Sequence, residues 1–133
     1  MASAEPEASG TDDSEETPPE PGRGEIWRVK FDPTVGSEIQ KTRPAVVISS
    51  DAVGTLPIRL VVPSTGWRDH FEGNLWHVQV PSTEQNGLHK ESAADALQVR
   101  SVDTARFTEH LGRIHPPRLE EIVTAVALVI EYR

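Results

Sequence analysis

The stretch Asp32-Pro33-Thr34-Val35-Gly36-Ser37-Glu38-Ile39-Gln40-Lys41-Thr42-Arg43-Pro44 gathers carboxylates, hydroxyls, a lysine and an arginine between two apolar runs. It is longer than hairpin packing needs. Arg43 falls where loop becomes strand, so its backbone is held while its guanidinium reaches outward. A planar five-donor fork suits a phosphate, above all one gaining charge in a transition state. The plainer alternative is a rim arginine paired with Glu38 or Asp32. Two other points share this ambiguity. Ser64-Thr65 closes an apolar run, where a hydroxyl either donates to a phosphate oxygen or caps a turn. In Gln98-Val99-Arg100-Ser101, alternation puts Gln98 and Arg100 on one face. A buried Gln98 amide would need partners, and fixing the long loop would supply them.

Other chemistries lack their residues. With no cysteine, the chain has no disulfide scaffold, thiolate metal site or Cys nucleophile. The five histidines (His70, His77, His89, His110 and His115) include no i, i+4 pair, so no metal is expected, nor any other cofactor. There is no G-x-S-x-G elbow and no glycine-rich phosphate loop. Two histidines working as acid and base would need to meet in one polar loop. No pair is so placed, and each reads as a surface or rim residue.

These groups need a scaffold to position them, and from Gly24 onward the pattern is mostly period 2. Trp27, Val29 and Phe31 share one face, with Arg28 and Lys30 on the other. Pro44–Ile48 and Ile58–Val62 read as apolar strands around a turn at Asp51–Pro57. Leu75–Val80, Ala94–Val102 and Leu111–Ile114 complete the strands, with a short helical piece near Thr104–Phe107. The C-terminus changes period: Leu119, Ile122, Val123, Val126, Val129 and Ile130 follow helical spacing. Pro116 and Pro117 suit that helix's first turn, where a missing N–H costs nothing. Glu120 and Glu121 sit near its positive end. The sum is a mainly β domain, a small antiparallel barrel with one docked C-terminal helix.

The chain has 133 residues, one domain's length, and a formal charge of −8. Seven of its acids and four prolines lie within residues 1–22, which hold no Lys, Arg, Val, Ile, Leu, Phe, Trp or Tyr. That stretch buries too little to offset chain entropy and is expected to be a disordered acidic tail before a domain over 23–133. It acts either as a solubilising tail or as an arm competing with an anionic ligand. The rest of the chain is nearly neutral. No apolar run approaches the ~18 residues of a membrane helix. The acidic N-terminus reads as neither signal nor transit peptide. A small cytoplasmic protein without membrane association is expected.

Several spaced motifs, in order over residues 23–132, give this chain its resemblance to the MazF/PemK family of toxin endoribonucleases. They are Arg23-Gly24-Glu25-Ile26-Trp27, Asp32–Glu38, Arg43–Ser49, Gln98–Ser101 and Leu111–Ile114. The resemblance implies an SH3-like barrel with a C-terminal helix, acting as a homodimer and restrained by a cognate MazE-like antitoxin. It implies metal-independent, sequence-specific cleavage of single-stranded RNA by 2′-hydroxyl attack, leaving a 2′,3′-cyclic phosphate and a 5′-hydroxyl. Matched by position, Arg43 and Thr65 are the central catalytic pair and Glu38 the loop acid.

Arginine stays protonated, so Arg43 is assigned to phosphorane charge, Thr65 to a non-bridging oxygen and Glu38 to the 2′-hydroxyl proton. Ser37, Lys41, Trp67, Gln98, Arg100 and Ser101 are the expected RNA contacts. Trp67 and Phe71 would either stack bases or cover the barrel mouth. Arg28, Lys30, Lys41, Arg43, Arg59 and Arg100 would supply a local cationic patch. Two positions depart from relatives: Leu97 stands where many have a carboxylate, and Ser37 where one branch has histidine. Same-fold toxins that poison a protein target such as gyrase, or a catalytically inactive RNA-binding member, are the alternatives.

Overall fold

The computed structural model describes residues 19–132. The expected tail lies outside the described residues except for its last four. Those are engaged: Pro21 is buried, and its carbonyl accepts from Arg59 Nε at 2.7 Å.

Among the described residues, alternating segments form seven strands: β1 (Glu25–Lys30), β2 (Thr42–Val47), β3 (Ile58–Gly66), β4 (His77–Val80), β5 (Ser92–Asp95), β6 (Arg100–Asp103) and β7 (Phe107–Arg113). One helix follows, α1 (Pro116–Val129). Every strand pairing is antiparallel, in the order β4-β5-β3-β2-β1-β7 with β6 also on β3. β3 is the hub. Its first half, Ile58–Val61, pairs with β6 and its last three residues, Ser64–Gly66, pair with β5. Pro63 sits at the switch between those partners, so its missing N–H costs no ladder bond. This explains why β3 runs past the expected end at Val62.

The sheet buries both faces. Trp27, Val29 and Phe31 pack on one side with Ala45, Val47, Val61, Val102 and Phe107. On the other side, Ile26, Val46, Val62 and Ile114 meet Ile122 of α1. Alternation along β1 sends Ile26 to one set and Trp27, Val29 and Phe31 to the other. Of the expected helix stripe, Ile122 is buried and Leu119, Val123 and Val126 pack against the core. Ile130 is not part of it: the helix ends at Val129, and Ile130 stands 65% exposed.

Three other strand expectations are corrected. Ala94–Val102 is interrupted by a 3-10 turn at Ala96–Gln98, because the Asp95 carboxylate accepts Leu97 N–H at 3.1 Å and competes with the ladder. Leu75 is exposed and the strand starts at His77, while β7 begins at Phe107, four residues before the expected Leu111. The 85–88 segment is locked onto β7 by two glycines. A Cβ on Gly87 would lie 2.1 Å from the Leu111 carbonyl, and one on Gly112 the same distance from the Gln85 carbonyl.

Candidate active site

Arg43 is the second residue of β2 and Thr65 the penultimate residue of β3. The register Ala45↔Pro63, continued by two residues, sets Arg43 opposite Thr65. Both line an open cleft of about 610 Å³, with Trp67, Arg68 and Lys90, and a smaller pocket of about 150 Å³ beneath it. The Arg43 guanidinium makes one long bond, Nε to the Gln40 carbonyl at 3.3 Å. Among the described residues no carboxylate lies within ion-pair distance of it. The rim pairing with Glu38 or Asp32 does not form, because both acids are spent on the loop. Asp32 accepts from Lys41 N–H at 2.9 Å and from the Thr34 hydroxyl, and Glu38 accepts Val35 N–H at 2.9 Å.

Ser37, Glu38, Gln98 and Arg100 line a second cavity of about 520 Å³, together with Leu97. Pro63 borders that cavity and Ser64 the Arg43 pocket, so the two lie side by side along β3. Gln98 is the fastening of the long loop. Its Oε1 accepts Ile39 N–H at 2.6 Å, and its Nε2 donates to the Ser37 carbonyl at 3.1 Å. Phe31 N–H closes the loop's base on the Lys41 carbonyl at 2.9 Å, and Lys41 takes a positive φ of 69° there with its side chain exposed. The Arg100 guanidinium lies 5.5 Å over the Phe31 ring. Ser101 is exposed on β6, opposite Leu60.

Two expectations change on contact with the fold. Arg59 does not join a surface patch: it is 4% exposed, and its fork is filled by backbone carbonyls of Pro21, Gly54, Leu56 and Ile58. Phe71 has one face taken, since it stacks on His77 at 3.7 Å. Trp67 meets Phe71 edge-on and keeps its place beside the cleft.

Sequence reasoning missed Lys90, whose Nζ lies 3.2 Å from where a Gly66 Cβ would be. Glycine at 66 thus gives this ammonium room beside Thr65. The pairing of Gly66 with Ser92 was the only signal, and it is a register that no local pattern reveals.

Also missed was a polar chain behind the site, buried at Asp95 and half-buried at His77 and Gln98. His77 faces Asp95 across β4 and β5, with Nε2 3.6 Å from Oδ2, and the same carboxylate oxygen receives Gln98 Nε2 at 3.4 Å. Burial pushes the His77 imidazole below its ordinary range; Asp95 pulls the other way and His70 adds to the lowering. A neutral ring fits the contacts: Asn74 Nδ2 lies 2.9 Å from Nδ1, leaving the Nε2 hydrogen toward Asp95. Among the described residues, no three His, Asp or Glu side chains converge to hold a metal.

Residues 22–130 match the family described as PemK-like, MazF-like toxin of type II toxin-antitoxin systems. The chain belongs to this family. A Mycobacterium tuberculosis relative, endoribonuclease MazF9, is 35% identical over 116 residues, covering 82% of this chain and 95% of that protein. Endoribonuclease PemK of Escherichia coli is 47% identical over 112 residues, covering 81% and 80% respectively. The crystal structure of MazF from Deinococcus radiodurans superimposes with a TM-score of 0.71 at 25% identity, covering 84% of this chain and 96% of that one. The MazF-like fold is thus the one expected, a mainly β antiparallel sheet carrying one C-terminal helix.

Proposed function

We propose that this MazF/PemK-family toxin is a metal-independent endoribonuclease for single-stranded RNA, with the Arg43–Thr65 cleft as its centre. The observation that carries the reading is an arginine with unspent donors, set opposite a hydroxyl and flanked by Arg68 and Lys90. In-line attack of the 2′-oxygen builds negative charge on the non-bridging oxygens. Arg43 stabilises that charge, Thr65 donates to one oxygen, and Lys90 adds a second cation at close range. The 5′-oxygen leaves, and a 2′,3′-cyclic phosphate remains.

A strand crossing Pro63–Ser64 reaches both cavities. Ser37, Gln98 and Arg100 line one cavity and Trp67 the other, and exposed Lys41 and Ser101 are assigned to RNA contact outside them. Glu38 shapes the long loop through Val35 and bears on cleavage from the neighbouring cavity.

The toxin domain spans 23–133, with residues 1–22 an acidic appendage. It works in the cytoplasm; no described helix is long and apolar enough to cross a membrane. Leu56, Ile58 and Leu60 form an exposed apolar strip of the kind a second copy covers, which supports a homodimer. An acidic segment of a MazE-like antitoxin laid along the cationic cleft would occupy the place of RNA phosphates.

The test is incubation of purified protein with long mixed-sequence RNA in EDTA, beside Arg43→Ala, with every new end mapped. Site-specific ends bearing 2′,3′-cyclic phosphate, absent from the variant, are expected. An intact RNA pool alongside persistent growth inhibition would transfer the reading to a protein-directed poison.

A further inference from the structure

Cleavage of this kind needs a group to receive the 2′-hydroxyl proton, and the pocket holding Arg43 and Thr65 narrows the choice. The charged or titratable side chains around it are Arg28 from β1, Arg43 from β2, and His89 and Lys90 from the segment before β5. Among the described residues no Asp or Glu lines it. Arginine does not give up its proton, and the ammonium of lysine has no lone pair with which to receive one. Glu38 lies in the neighbouring cavity with its carboxylate on Val35 N–H. Glu91 borders the outer cleft, and its carboxylate receives the amide of Gln79. Imidazole is the side-chain type that takes and releases a proton near neutrality.

We propose that His89 is the general base of the Arg43–Thr65 site, an inference that rests on the ribonuclease reading above. The segment presenting it is braced on both sides. Buried Asn86 accepts N–H groups from Thr83 and Leu88 at 3.0 Å each and donates to the Pro81 carbonyl at 2.8 Å. Gly87 is locked against the Leu111 carbonyl, buried Leu88 anchors the core side, and the Lys90 carbonyl receives the Ser92 hydroxyl at 3.0 Å. His89 itself is exposed, so the ring can trade its proton with water.

As the O2′–P bond forms, the O2′–H pair stays on oxygen and the proton passes to an imidazole nitrogen of His89. The P–O5′ bond breaks with its electron pair on O5′. In-line geometry sets O5′ on the far side of phosphorus, so that oxygen takes its proton from solvent water. The imidazolium returns the equivalent proton to solvent, and the cycle closes with no other reactant.

Single-turnover cleavage of one short RNA by wild type, Arg43→Ala, His89→Ala and Glu91→Gln, as a function of pH, tests this. His89→Ala should slow cleavage by about 10²–10⁴ with KM little changed. It should also abolish the rising limb of the pH–rate profile, and added imidazole should restore part of the rate. Three results would overturn it: a His89→Ala rate close to wild type, a limb that survives in His89→Ala, or a limb lost in Glu91→Gln instead. If Arg43→Ala is inactive while His89→Ala is not, the inference falls and the ribonuclease reading stands. If wild type cleaves nothing, both fall.

Discussion

Arg43 and Arg59 lie on neighbouring strands and are put to opposite uses. Arg59 is buried, and four backbone carbonyls fill its fork, one of them at Pro21 where the described chain enters the domain. Arg43 is half-buried at the lip of a cleft, with one 3.3 Å bond and no carboxylate partner among the described residues. A buried guanidinium without acceptors would cost several kcal/mol, so the chain wraps Arg59. A guanidinium left with donors unspent is available to an incoming anion. Counting basic residues in the sequence treats the two alike and overstates the surface charge. What separates them is where their hydrogen bonds already go.

The sharpest break between them is kinetic. Arg43→Ala should lower the cleavage rate by about 10²–10³ while the urea unfolding midpoint stays within error of wild type. Arg59→Ala should do the converse, losing about 2–4 kcal/mol in urea unfolding while each folded molecule still cuts. Arg59→Lys should recover little of that loss, because one ammonium cannot span four carbonyls.

Between these extremes lies Gln98, a neutral side chain spent on the active loop. Gln98→Ala removes two bonds to the loop backbone, worth about 1–3 kcal/mol of loop order. The expected reading is a raised KM and faster amide exchange at Ile39, with a small change in global stability.

The smallest effect belongs to His77, which is half-buried. Its folded pKa lies below the unfolded value of 6.5, so the unfolded chain binds the extra proton. The stability tied to this ring is therefore fully present above about pH 6.5 and is lost as pH falls through the folded value. His77→Gln should flatten that acid-side slope of unfolding free energy.

Much of the architecture was legible because period 2 and period 3.6 are local signals. The face of Trp27, Val29 and Phe31 and the helix opening at Pro116-Pro117 both follow from a few consecutive residues. The break at Ala96–Gln98 was not legible, since it depends on the Asp95 carboxylate choosing a nearby N–H over the ladder. At the site, the Gln98 clamp could be anticipated, because a half-buried amide must find partners. His77 against Asp95, and Lys90 beside Thr65, come from register between distant strands. The spending of Glu38 on Val35 also required the folded loop, and it shifts attention to His89 as the proton acceptor.

The amide that fastens the long loop carries no charge, and this separates two properties that ionic strength would otherwise change together. Counterions compete with phosphate for Arg43, Arg68 and Lys90, so binding should weaken steeply as salt rises. The bonds from Gln98 to Ile39 and Ser37 feel no such competition. A concentrated salt wash should therefore strip nucleic acid or an acidic partner from the cleft and leave the loop latched, so that dilution alone returns a working enzyme with no refolding step.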